Sequence, residues 1–243
     1  MYGIRWGHII QGHLPPTDHP FVKLAYDGAI RLSNYTGTKK KDPFTPSMLH
    51  SLVNPDLLED LIYFRFVTIC VLGFTGFMRL DELLNLRIRD IKFYPSYMTL
   101  TIPKCKNDQS REGNIIHISE LQSKCCPVFI TATYIHTLGL LSDHFLVCKL
   151  AKTKEGHNAI GSHQMSSSYI RKNFKELVQL HLPGASNISP HSLRAGGASS
   201  AAENGSSDRL ISKHGRWKSE GARNGYIKDS IKNRLSVSKN LGL

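Results

Sequence analysis

The chain has 243 residues, with 31 Lys plus Arg against 19 Asp plus Glu, giving a formal net charge of +12 at pH 7. That length allows one large domain, or one domain plus a fragment, with an ample core. The positive excess favours a polyanionic partner, nucleic acid over membrane, because no amphipathic basic helix stands out. No window approaches 18 uncharged apolar residues, which excludes a transmembrane helix, and Met1-Tyr2-Gly3-Ile4-Arg5 lacks the apolar core of a secretory signal.

Residues 1–37 are irregular, with Pro15-Pro16, several glycines and one short helix predicted over Pro20–Leu32. Gly37-Thr38-Lys39-Lys40-Lys41-Asp42-Pro43 reads as a linker from its breakers and charge run. Lys39 to Lys41 could serve nuclear import or simply be solvated. Thr45-Pro46 and Asn54-Pro55 each look like an N-cap followed by proline at the first helical position. Leu57, Leu58, Leu61, Ile62, Phe66, Ile69 and Cys70 recur at helical spacing, predicting a buried helix from about Pro55 to Gly73.

Arg79 comes next, at the start of a helix through Asp81 to Leu86. Bare N–H groups at a helix start suit a phosphate, so an arginine there is well aimed; the alternative is a surface arginine paired with Asp81 or Glu82. Two alternating strands follow, Tyr97–Ile102 and Asn114–Ser119, joined by a polar loop with Asn107-Asp108 and Gly113. Lys104 and Lys106 leave the first strand on the same face. Such a lysine can enter a DNA groove and protonate a leaving oxygen, or it can merely solubilise an edge strand.

Helices are predicted at about Cys126–Leu138, Ser166–Leu180 and Ser189–Ala202, with Gly139 and Asn204-Gly205 as stops. Ser207-Asp208 caps a short helix to Lys213, and Ser219 caps another that delivers Tyr226. Ala195, Gly196, Gly197, Ala198, Ala201 and Ala202 form a small-residue stripe suited to close helix packing. The fold class is therefore mainly α with a small antiparallel β-hairpin, an α+β arrangement. Cys70, Cys105, Cys125, Cys126 and Cys148 show no Cys-x-x-Cys spacing and read as reduced intracellular thiols. No histidine pairs with Cys, Asp or Glu at a metal-ligand interval, so no metal is expected.

Chemistry concentrates in the last fifty residues: Pro190-His191-Ser192-Leu193-Arg194, Gly215-Arg216-Trp217 and Gly225-Tyr226. A phenol is a poor nucleophile at neutral pH, because its pKa lies near 10. It needs a proton acceptor, and an attacked phosphate needs its charge neutralised. His191 and Arg194, three apart, share one face of a helix turn and can reach one phosphate. Trp217 is either a core residue or an indole N–H turned toward a phosphate. Arg216, Lys218, Arg223 and Lys228 lie nearby in sequence and are candidate DNA contacts with Lys104.

This block resembles box II of the tyrosine recombinases, also called phage integrases: His-x-x-Arg, then His or Trp, then Tyr. Its tryptophan variant is similar to the Cre branch, and its wording is similar to recombinases of DIRS-like eukaryotic mobile elements. Thr75-Gly76-Phe77-Met78-Arg79 followed by Leu80-Asp81-Glu82-Leu83 matches box I, and Pro103-Lys104-Cys105-Lys106-Asn107-Asp108 matches the hairpin lysine motif at Lys106. The resemblance spans roughly residues 42 to 235.

It implies a tyrosine recombinase catalytic-domain fold over residues 42–243, preceded by residues 1–41 as the remnant of an N-terminal helical DNA-clamping domain plus linker. That brevity is expected of a fragment or of an element decayed at its 5′ end. It further implies that Tyr226 attacks a DNA phosphodiester, Arg79 and Arg194 clamp the non-bridging oxygens, and Lys106 protonates the leaving 5′ oxygen. His191 relays the tyrosine proton and Trp217 holds a phosphate oxygen. Neither ATP nor a metal or other cofactor is required. The expected partner is double-stranded DNA, bound by a homotetramer on two duplexes, without membrane, inside the cell and in the nucleus if the host is eukaryotic. A catalytically silent DNA-binding remnant and a type IB topoisomerase remain alternatives.

Overall fold

A computed structural model describes residues 1–34, 41–102, 114–154 and 156–241, and it divides into two compact units, Met1–Lys40 and Lys41–Leu243. In the first unit, helix α1 (Tyr2–Ile10) and helix α2 (Pro20–Asn34) flank a 3₁₀ turn at Pro16–Asp18. Arg5 binds the Asp18 carboxylate at 3.0 Å. The sequence pattern found α2 and missed α1.

The second unit is built around one helix. Helix α3 (Pro46–Leu52) starts behind Thr45, whose hydroxyl accepts the Met48 N–H at 3.2 Å. Asn54 likewise accepts from Asp56, yet the prolyl start at Pro55 yields only a 3₁₀ turn, Pro55–Leu57. The long helix α4 (Leu61–Thr75) begins six residues later than expected, because Asp60 supplies the stronger cap: its carboxylate accepts from Ile62 at 2.7 Å and Tyr63 at 3.3 Å. From Tyr63 to Gly73 every residue of α4 is buried, the mark of a helix enclosed by its neighbours.

Helix α5 (Leu80–Asn85) leads into a three-stranded antiparallel sheet of β1 (Ile91–Tyr94), β2 (Tyr97–Ile102) and β3 (Asn114–Ser119), in that order. Met98 opposes Ile118 and Leu100 opposes Ile116, and these four side chains form the sheet's buried face. β2 and β3 match the predicted strands; β1 buries only Ile91, so no alternation betrayed it. The loop holding Lys104 and Lys106 lies outside the described residues. Helix α6 (Pro127–Thr137) precedes a two-stranded ribbon, β4 (Cys148–Thr153) and β5 (Gly156–Gln164), which the sequence reading had not anticipated.

Helices α7 (Ser167–His181), α8 (Pro190–Glu203), α9 (Asp208–Gly215), α10 (Glu220–Asn224) and α11 (Ile231–Lys239) complete the chain. The predicted starts and stops of α6, α7 and α8 hold within two residues. Helix α8 lies against α4 and the extended segment at Phe44 so closely that side chains are excluded at two positions. A Cβ on Gly196 would stand 1.9 Å from the Phe44 carbonyl oxygen, and one on Gly197 would stand 2.1 Å from that of Phe74. The small-residue stripe is thus the contact that brings α8 onto the end of α4. A second, smaller apolar cluster of Phe77, Ala198, Ile211 and Trp217 sits beside the main core, with Tyr226 packed on it.

Gly196→Ala is expected to lower the melting temperature by about 2–12 °C, since forced overpacking costs about 1–3 kcal/mol and this contact is with rigid backbone. Gly221→Ala, with open space around its Cβ position, is the control and should melt like wild type or slightly higher.

Candidate active site

Helix α8 starts with a reciprocal cap: Ser189 N–H donates to the Ser192 hydroxyl at 3.1 Å, and Ser192 N–H donates to the Ser189 carbonyl at 2.8 Å. This fixes the first turn, which carries His191 and Arg194. Arg194 is wholly buried. Its Nη1 donates to the Phe77 carbonyl and its Nη2 to the Gly215 carbonyl. The guanidinium carbon lies 4.4 Å from the centre of the Trp217 ring and 5.0 Å from that of Tyr226, within cation–π range. Tyr226 also lies 5.2 Å from Trp217 and 4.9 Å from His191, centre to centre. Four residues spread over 36 positions of sequence are thereby gathered into one stack around the Tyr226 ring.

Arg79 caps α5. Its own N–H and its Nη1 both reach Glu82, at 2.8 Å each. The same carboxylate takes Arg216 Nη2 at 2.6 Å. Burial opposes the charge on Glu82, but Arg216 and Arg79 outweigh it and hold the carboxyl below its ordinary range. Arg216 reaches inward from a left-handed backbone conformation, φ 58°. Its remaining donors bind the carbonyls of His214 at 2.9 Å, Phe77 at 3.1 Å and Gly76 at 3.3 Å. Phe77 is itself left-handed at φ 46°, an uncommon conformation for a bulky residue. His214 Nε2 donates to the Thr75 carbonyl at 2.8 Å and packs edge-on against Phe77.

Arg216 and Arg223, expected as DNA contacts, have internal partners: both side chains are buried, although Arg216 Nε meets no acceptor among the described residues. Arg223 pairs with Asp208 at 2.9 Å and binds Asn224 at 3.1 Å. An interior carboxylate and fixed carbonyls are nearer partners than a phosphate in solvent. Lys228 is half-committed, donating to the Lys41 carbonyl at 3.0 Å beside Asp42, whereas Lys218 is exposed. Arg79 combines both readings of it, standing at the helix start and pairing with Glu82.

Trp217 takes its core reading. Its indole packs in the second cluster, while its N–H is covered and meets no acceptor among the described residues. Arg194 Nε is in the same condition. An unsatisfied buried donor costs about 1–3 kcal/mol, and here two of them abut one tyrosine ring. Between them they could engage an oxyanion that displaced the ring.

Electrostatically the cluster is arranged for proton transfer. Burial, then the charges of Arg194, Arg79 and Arg171, depress the His191 pKa below 6.5, so its imidazole is neutral and able to accept a proton at pH 7. Burial and the neighbouring Arg79 and Arg216 pull Arg194 down to about 10, which leaves it protonated. No group of three His, Cys, Asp or Glu able to hold a metal ion occurs among the described residues. Sequence reasoning missed His214 and Arg171, and placed Arg216 on DNA rather than on Glu82. For Glu82, the spacing of three from Arg79 at a helix start was the available signal.

A tyrosine, a histidine, a buried arginine and an indole are thus stacked together at one end of this helical scaffold. The chain belongs to the phage integrase family, whose sequence model matches residues 46–232; these tyrosine recombinases are DNA breaking and rejoining enzymes. It is 28% identical to the integrase/recombinase xerD homolog of Selenomonas ruminantium over 248 residues, 96% of this chain and 69% of that one. Among solved structures, XerA recombinase shares the fold at TM-score 0.59 and 18% identity, covering 83% of this chain and 64% of that one. XerH recombinase bound to its difH substrate gives TM-score 0.56 and 16% identity, covering 85% and 56%. A lambda integrase dimer bound to a COC′ core site gives 0.54 and 14%, covering 79% and 49%. The chain thus spans about half to two thirds of the length of these solved relatives.

The Arg216–Glu82 pair should be strongly coupled. Glu82→Ala alone is expected to cost about 3–5 kcal/mol, because it strands a buried guanidinium, and the Glu82→Ala/Arg216→Ala double variant should cost clearly less than the two singles combined. Denaturant midpoints of the four proteins would show this; additive losses would refute the coupling.

Stability should also depend on pH in a defined window. His191 and His214 have folded pKa values below 6.5, with burial the main cause for each. The unfolded chain therefore binds more protons than the folded one near pH 6, and stability falls as pH drops below about 6.5. Urea midpoints from pH 7.5 to 5.5 should decline in wild type and decline less steeply in His191→Gln, where His214 alone remains.

Proposed function

We propose that this chain is a site-specific DNA recombinase that cleaves and rejoins duplex DNA through a 3′-phosphotyrosyl intermediate, encoded by a mobile element. The observation that carries this is the contact of Tyr226 with His191, Arg194 and Trp217 in one cluster, within a chain of the phage integrase family. The phenol oxygen of Tyr226 attacks phosphorus and its proton passes to the neutral His191. Arg79 and Arg194 neutralise the non-bridging oxygens, where transition-state charge collects. Trp217 N–H gives a further donor to the same phosphate.

The P–O5′ bond breaks and the departing oxygen takes a proton from Lys106, a role that rests on the hairpin-motif resemblance. A second 5′ hydroxyl reverses the step, so strands exchange without net hydrolysis. Bond energy stays in the phosphotyrosine, which is why no nucleotide cofactor is needed.

Duplex DNA as partner is supported by relatives whose structures hold DNA, among them XerH with difH and the Tn1549 transposon integrase with circular intermediate DNA. Assembly as a tetramer on two duplexes belongs to this proposal, as does nuclear location in a eukaryotic host. So does the reading of residues 1–41 as part of a helical DNA-clamping domain joined by a linker to the catalytic domain, residues 42–243. No described helix is long and apolar enough to cross a membrane.

Incubation with a nicked duplex, followed by denaturing electrophoresis, should reveal a covalent protein–DNA adduct. Tyr226→Phe should abolish the adduct while leaving DNA affinity within a few-fold. An adduct that persists in the variant would remove Tyr226 from its role, with Tyr169 the next tyrosine to test.

A further inference from the structure

The β4–β5 ribbon has no part in the reactive cluster. Its strands pair Lys149 with Ile160, Leu150 with Ala159, Ala151 with Asn158 and Lys152 with His157. Strand alternation therefore puts Lys149 and Asn158 on one face and Lys152 and His157 on the other. Lys149, Lys152, Lys154 and Asn158 are exposed, and the three lysines have no ion pair or hydrogen bond among the described residues. Glu155, between the strands, lies outside those residues. An isolated two-stranded hairpin is marginally stable in water, and clustered lysines repel one another, so burial does not account for this ribbon.

Its root, by contrast, is held firmly. The Gln164 amide donates to the Leu84 carbonyl at 2.9 Å and to Asn85 Oδ1 at 3.1 Å. Leu146 N–H donates to the Leu86 carbonyl at 2.9 Å, and Arg65 Nη1 to the Cys148 carbonyl at 3.0 Å. Gly161 lies so close under the His144 ring that a Cβ would come within 2.1 Å of it. Leu84 and Asn85 end α5, the helix that Arg79 caps, and six helical residues measure only about 9 Å. On the other side, β5 leads into α7, which packs against α4 and α5. The ribbon thus springs from between α7 and the helix that Arg79 caps.

Six strand residues extend about 20 Å, the length of roughly six base pairs at about 3.4 Å each. A two-stranded ribbon fits the major groove of B-DNA, about 12 Å wide. Lysines on both faces and at the turn suit the phosphates of the groove's two walls. An asparagine amide offers the donor–acceptor pair that matches an adenine edge.

We propose that the β4–β5 ribbon is a second DNA-contacting surface, entering the major groove beside the cleavage point with Lys149, Lys152 and Lys154 on phosphates and Asn158 toward base edges. This rests on the recombinase reading for where the duplex lies.

The test compares the full chain with its Lys149→Ala/Lys152→Ala/Lys154→Ala variant on duplex DNA. Each lost phosphate contact lowers the slope of log K against log salt by about 0.9. The variant's slope should be shallower by about 2–3, with affinity down about 10- to 100-fold at low salt. Its hydroxyl-radical footprint should retreat on one side of the cleavage point, and adduct yield at saturating DNA should stay at the wild-type level.

An unchanged slope and footprint, in a variant that melts like wild type, overturns the proposal; Lys152→Glu alone decides it should the triple variant melt early. Loss of binding to anionic vesicles without loss on DNA also overturns it. A wild-type chain that binds DNA yet forms no adduct sinks the recombinase reading instead, and the slope comparison still decides the ribbon. No affinity of the wild-type chain for DNA sinks both.

Discussion

One carbonyl group organises the reactive end of this protein. Phe77 turns its backbone into the left-handed region and so points its oxygen at two buried guanidiniums, those of Arg194 and Arg216. Arg216 then closes the circuit onto Glu82, which in turn holds Arg79. Arg79 and Arg194 are thus aligned through a third arginine and its carboxylate. The arrangement brings three like charges together in a poorly solvated space, which only the single carboxylate and the inward carbonyls make tolerable. Remove that carbonyl's direction, and Arg194 and Arg216 lose the acceptor that sets their spacing.

The positive charge of the chain therefore divides into two populations. The side chains of Arg65, Arg194, Arg216 and Arg223 are buried and direct most of their bonded donors to interior carbonyls and carboxylates. Exposed lysines such as Lys149, Lys152 and Lys218 have no such engagement. Arginine suits the first task because its planar fork keeps several hydrogen bonds with fixed geometry; lysine suits the second as a hydrated point charge. A count of net charge merges these tasks, which is why sequence reading assigned Arg216 and Arg223 to DNA.

Much of the scaffold was legible because it depends on local rules. The strands Tyr97–Ile102 and Asn114–Ser119 alternate cleanly, and the caps at Thr45, Ser166 and Ser219 all form as their side chains demand. The start of α4 was misread because two candidate caps compete within six residues, and only packing reveals that Asp60 wins. The ribbon was missed because residues exposed on both faces leave no hydrophobic period to detect. In the site, spacing of three linked His191 to Arg194. The partnership of Glu82 with Arg216, 134 positions away, has no local signature at all.

The unpaired indole N–H of Trp217 and Nε of Arg194 bear on how this fold responds to selection. Buried donors without acceptors among the described residues make the folded protein less stable than its packing permits, and in the proposed reaction their acceptor is the phosphate in transit. A screen for heat resistance would accordingly find improvements by silencing those donors, and would pass inert proteins as its best performers. Robustness and reactivity are opposed at this spot by construction. Gains in endurance that leave chemistry intact must come from elsewhere, such as the unburdened helix surfaces far from Tyr226.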